Sequence, residues 1–176
     1  MSYRTKKGNT LRSTRRICGI VLAALAAAGA TFSQNRIADL QQRFAQESDP
    51  VRKAKKMPQL GEAEFQHIQK DVASEDFTDG LALLRQYRGE VQSCIKGLDA
   101  AGVNAVKHSS GFRELQISLR ESLRRLDTVI PLVSPEAQSG FIEERANLNE
   151  MNKYLIEELF PAPKQAPAKA REEEHH

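Results

Sequence analysis

The chain has 176 residues, with 26 Lys and Arg against 23 Asp and Glu, no Trp and few aromatics. That length suits one domain with a modest, mainly aliphatic core. The positive excess lies wholly in residues 1–30; without them 20 basic residues face 23 acidic ones, which removes overall basicity as an argument for nucleic-acid binding.

Arg4, Lys6, Lys7, Arg12, Arg15 and Arg16 form a basic head with no acidic residue, followed by apolar Ile17 to Ala28 and then Gly29-Ala30. A charged head, a short apolar middle and small residues at its end make the pattern of a secretory signal peptide. Residues 1–30 are therefore expected to be a leader cleaved after Ala30, delivering the remainder to the periplasm or outside the cell; a retained anchor is the alternative. The run is shorter than the roughly 20 residues a spanning helix needs. No later stretch is long and apolar enough, so the cleaved chain is expected to be soluble. Arg15-Arg16 lacks the bulky apolar pair of a twin-arginine signal, and Cys18 precedes the run, where a lipid-attachment cysteine follows it. Cys94 is then the one remaining thiol, expected to be a small buried hydrophobe without an intrachain disulfide.

From residue 31 onward helical spacing dominates and strand signals are nearly absent. Ile37, Leu40 and Phe44 form a short stripe that ends near Asp49-Pro50. Asp49 as cap and Pro50 in the first turn predict a short helix Val51–Met57, stopped before Pro58. Phe65, Ile68 and Val72 line a helix over Gly61–Ala73. Phe77, Leu81, Leu84, Val91, Ile95 and Leu98 predict a long helix Asp76–Ala101, with Gly102 as its left-handed terminus. After a loop holding His108, Ser110 is placed to cap a helix carrying Phe112, Leu115, Leu119, Leu123, Leu126 and Ile130. Ser134-Pro135-Glu136 signals the last start. That helix carries Phe141, Ile142, Leu148, Met151, Leu155, Ile156 and Leu159, and stops at Pro161. The expected fold is all-α: an antiparallel bundle of three long helices plus two or three shorter N-terminal helices, spanning residues 31–160. The Pro-, Ala-, Lys- and Glu-rich tail 161–176 is expected to be disordered.

Two resemblances rest on quoted residues. Phe65-Gln66-His67-Ile68, Ala73-Ser74-Glu75-Asp76-Phe77 and Leu81-Ala82-Leu83-Leu84 together resemble one helical hairpin of the tetratricopeptide type; it does not recur, whereas an array needs about three copies. Asp49-Pro50-Val51-Arg52-Lys53-Ala54-Lys55, Leu60-Gly61 and Leu119 to Leu126 resemble small exported bacterial all-helical proteins of uncharacterised role. The second resemblance implies a helical fold and export, and supplies no catalytic residue.

Catalytic and metal patterns are sparse. Glu64-Phe65-Gln66-His67 has the Glu-x-x-His spacing of di-metal bundles, but those sites use it twice. The pair is expected to face solvent beside the Phe65 and Ile68 stripe. No histidine pair has zinc spacing, and neither a nucleophile elbow nor a phosphate-binding loop occurs. No cofactor or metal is expected. Arg52, Lys53, Lys55 and Lys56 form a compact cluster, a candidate contact for acidic headgroups or envelope polymers, giving weak peripheral membrane attachment. Arg113, Arg120 and Arg124 form a candidate anion-binding strip without the aromatics that stack bases. The bland assignment has Glu143, Glu144, Glu157 and Glu158 facing these arginines across the bundle. The expected function is an exported, non-enzymatic protein that binds or scaffolds a protein or envelope component. The alternative is a periplasmic metal- or stress-responsive helical protein using surface carboxylates and His67.

Overall fold

A computed structural model describes residues 36–162; the expected leader, its cleavage point and residues 163–176 of the tail lie outside the described residues. Among those described there are five α-helices, one 3-10 turn and no strand. The first helix, α1, covers residues 36–45. It is followed by α2 (Pro50–Ala73), α3 (Phe77–Ala100), α4 (Ser110–Val129), the 3-10 turn Ile130–Leu132, and α5 (Pro135–Leu159). Among the described residues no helix is long and apolar enough to cross a membrane.

The expected pair of short helices before and after Pro58 is a single helix of 24 residues. Asp49 caps it, its Oδ1 accepting from the Arg52 N–H at 2.7 Å, and Pro50 occupies the first turn. Pro58 sits inside the helix and does not end it. A proline there removes one backbone hydrogen bond and crowds the carbonyl four residues back, at a cost of about 3 kcal/mol. Met57 and Leu60 flank it and are fully buried. Each such side chain contributes about 1.5–3 kcal/mol when removed from water, so the pair outweighs the proline. The number of long helices is thus four, not three.

The helix ends follow local chemistry. At the end of α3, Gly102 has φ +64°, with the Gly102 N–H bonded to the Asp99 carbonyl and the Val103 N–H to the Leu98 carbonyl. This is a Schellman terminus, and glycine occupies its left-handed position without steric cost. The same motif ends α2, but there Glu75 holds the positive φ of 61°. The Asp76 N–H bonds the Asp71 carbonyl at 2.8 Å and the Glu75 N–H bonds that of Val72 at 3.1 Å. Position Ser134-Pro135 starts α5 as expected, though the Ser134 side chain makes no cap bond; Gln138 instead donates to the Ile130 carbonyl at 3.0 Å.

α2 packs against both α3 and α4, and α5 also packs against both. The core is aliphatic with a few aromatics: Phe65, Tyr87, Phe112 and Phe141 are its largest buried side chains. Phe65 and Tyr87 meet edge to face, with centroids 5.1 Å apart. Gly61 makes their seam close, because a Cβ there would stand 2.9 Å from the Tyr87 ring. Cys94 is free and buried, and its thiol is pushed up to about 12 by burial, so it behaves as a small hydrophobe. Two expected stripe residues of α5, Ile142 and Ile156, are exposed instead. α5 contacts only part of its circumference, so fewer positions are covered than its apolar content suggests.

Candidate binding face and the buried carboxyl pair

The basic cluster at the start of α2 is largely occupied by its own neighbours. Glu47, in the turn before α2, accepts from Lys56 Nζ at 2.9 Å and lies 3.4 Å from Arg52 Nε. The Lys56 bond, then the Asp49 N–H, hold the Glu47 carboxyl below its ordinary range. Lys56 also donates to the Arg43 carbonyl, and Lys53 Nζ stands 4.8 Å over the Phe44 ring, a cation–π contact. Lys55 is exposed. Arg52, Lys53 and Lys56 therefore tie α1 and the turn to α2, with two carboxylates, Glu47 and Asp49, beside the four cations.

The α4 strip is different. Residues 113, 117 and 120 are spaced four and three apart and share one helical face. Seven arginines of the described region hold a carboxylate: Arg43, Arg52, Arg85, Arg88, Arg124, Arg125 and Arg145. Arg113 and Arg120 have no ion pair among the described residues, and both are exposed. They line one open groove of about 460 Å³ together with Ala105, Val106, Ile117, Leu159 and Phe160. Three of its apolar members stand in water: Val106 is 61% exposed, Ile117 44% and Phe160 75%. The α5 wall is fixed by Gln116, which donates to Asn152 at 3.2 Å. Beyond the Ala105-Val106 loop lies a second pocket of opposite charge, lined by Asp99, Glu157 and Glu158.

The expected pairing of the α5 glutamates with the α4 arginines does not occur. Glu144 is buried and takes Arg88 at 2.6 Å and Arg85 at 3.5 Å, both from α3. Arg124 meets only Glu121, one turn away at 3.5 Å, while Arg125 reaches Glu62 on α2. That contact holds the Glu62 carboxyl below its ordinary range. No surface pocket described here brings the α2 cluster and the α4 strip together.

Glu64 is the residue whose environment the sequence reading missed. It does not face solvent beside the stripe; it is fully buried. Gln41 of α1 donates to its Oε1 at 2.9 Å, and its Oε2 has no partner. Burial first, and the nearby Glu90 carboxyl second, push Glu64 up to about 8. Glu90 is raised as well, again mainly by burial. Gln86 donates to its Oε1 at 3.1 Å and its Oε2 is likewise unpartnered. Burial favours the protonated form of each carboxyl, and for Glu64 the charge of Glu90 adds to it. Below the pair, the Tyr87 hydroxyl lies 2.7 Å from Ser122 Oγ, which donates to the Ser118 carbonyl.

A carboxyl that favours its proton is acid–base chemistry in kind, but neither Glu64 nor Glu90 lines a surface pocket described here, and Gln41 of α1 bonds to Glu64. His67, one turn on, lies 3.6 Å from Asp71, and its Nδ1 is buried without a partner. Among the described residues no three His, Cys, Asp or Glu side chains converge closely enough to hold a metal ion. No protein-family model matches the chain, nor does any curated protein or solved structure.

Proposed function

We propose that this is an exported, non-enzymatic helical protein that binds another protein of the cell envelope through the α4–α5 face. One observation carries the reading: Arg113 and Arg120 have no ion pair among the described residues and line an open groove with exposed Val106, Ile117 and Phe160, while seven other described arginines hold carboxylates of their own chain. Exposed apolar side chains rimmed by charge are the surface chemistry of protein–protein contacts. Export rests on the basic head and apolar run of residues 1–30, and agrees with the resemblance to small exported helical proteins.

The scaffold that presents this face is read as a bundle in which helices adjacent in the chain run antiparallel. Close approaches support that reading. Pro50 lies beside Gly97 and Val72 beside Gly80, joining α2 to α3; Leu98 lies beside Gly111, joining α3 to α4. Gln116 bonds Asn152, and Asp127 pairs with Arg145 at 2.7 Å, joining α4 to α5.

The test is a photo-crosslinking residue at position 117 in the native host, with one at exposed position 59 on α2 as control. A discrete protein adduct at 117 and none at 59, in the envelope fraction of a chain lacking its leader, is the expected result. No adduct at 117 removes the binding reading. Recovery of the leader-bearing chain from the cytosol removes export.

A further inference from the structure

We infer that the partner of this face is an acidic amphipathic helix, with carboxylates seven residues apart on either side of an aliphatic residue, lying along α4. This rests on the protein-binding reading above and names what it binds.

The spacing of the cations carries the argument. Arg113 and Arg120 are seven residues apart on α4, so their attachment points are separated along the axis by about 10.5 Å, two helical turns. Ile117 stands between them. A helix laid alongside α4 repeats the same axial spacing, so acids at its own seven-residue interval meet both guanidiniums at once. The aliphatic side chain between those acids enters the groove against Ile117 and Phe160, whose volume of about 460 Å³ leaves room for it. Guanidinium grips carboxylate through paired N–H donors, so each contact also fixes orientation.

Charge on the far side of the groove narrows the occupant. Asp99, Glu157 and Glu158 line the pocket beyond the Ala105-Val106 loop. They repel an acidic segment that slides past the loop and so confine it to the arginine side. A single helix satisfies one side and avoids the other.

The experiment uses the full chain in low salt and two helical Ala- and Gln-based peptides. The first carries a Leu with Glu three residues before and four after it; the second has Lys in place of both Glu. Fluorescence anisotropy is expected to show binding of the Glu peptide and not the Lys peptide, weakening as salt rises. Reversing both cations, Arg113→Glu with Arg120→Glu, is expected to weaken the Glu peptide about tenfold and to admit the Lys peptide. Both residues are exposed, and circular dichroism confirms that the variant is folded. Equal binding of the two peptides, or none, overturns the inference. So does binding only to phosphatidylglycerol vesicles, or self-association of the chain that the double reversal abolishes. A protein adduct at position 117 without acidic-peptide binding sinks the partner chemistry and leaves the binding reading standing; absence of the adduct sinks both.

Discussion

Two regions of this molecule treat charge in opposite ways. In the seam between α2 and α3, Glu64 is shut away from water and Glu90 is half-buried, and burial raises both carboxyls. On the α4–α5 face, Arg113 and Arg120 are exposed to water and have no ion pair with their own chain among the described residues. The first region stores its polar groups inside a packed core, where each missing partner is costly. The second leaves polar groups where water meets their needs, so they are available to something else. A change in the seam should register as stability; a change on the face should register as binding.

The largest effect belongs to the centre of the seam. Tyr87 is fully buried, meets Phe65 edge to face and bonds Ser122. Tyr87→Ala is expected to cost about 3–5 kcal/mol, read from the midpoint of urea unfolding. A loss under about 1 kcal/mol would break the contrast. Gly61→Ala tests the same contact from the other side, because its methyl meets the Tyr87 ring. Overpacking of this kind costs about 1–3 kcal/mol.

The carboxyl pair makes a prediction about pH. Burial pushes Glu64 up to about 8 in the fold, whereas an unfolded Glu titrates at about 4.3. Between those values the folded chain holds a proton that the unfolded chain releases, so stability falls as pH rises through that window. Glu90, also raised, acts in the same direction. Glu47 and Glu62, held low by Lys56 and Arg125, contribute stability that is lost only on acidification below the ordinary glutamate range. Glu64→Gln accepts from Gln41, donates toward Glu90 and carries no charge. Its stability should fall less steeply over the window, Glu90 keeping its burial-driven share, and exceed that of the parent by about 1–3 kcal/mol at pH 9. Urea melts at pH 5, 7 and 9 decide this, and parallel curves for parent and variant would show that Glu64 is not raised in the fold.

Smaller effects mark the edges of the comparison. Glu75 holds a left-handed conformation that glycine adopts without strain. Glu75→Gly is expected to raise stability by up to about 1 kcal/mol, visible as a higher Tm. On the face, Arg113→Glu with Arg120→Glu should change stability by less than about 0.5 kcal/mol, measured by the same melts. A larger loss would place these arginines among the structural ion pairs.

The helical content was legible because periodicity and punctuation are local. Phe112, Leu115, Leu119, Leu123 and Leu126 mark one face wherever α4 goes, and they are buried. Gly102 ends α3 because only that position needs a left-handed residue. Glu75, by contrast, occupies the same kind of position without a sequence signal. Pro58 reads as a stop, and only the burial of Met57 and Leu60 carries the helix through it. The arginine strip was visible as a pattern, but its distinction was not. Arg124 and Arg125 look the same as Arg113 and Arg120 in the chain, until Glu121 and Glu62 take the first pair. Glu64 looked like a surface acid because it lies in a polar stretch next to Gln66 and His67.

The amino-acid sequence alone determined that this chain is helical, where most helices end, and which residues seek a core, since these depend on spacing along a few turns. Tertiary structure alone decided that α2 is continuous, that Glu64 loses its water, and which arginines find a carboxylate. Those outcomes depend on which neighbour covers a given face, and a helix carries no local record of its neighbours.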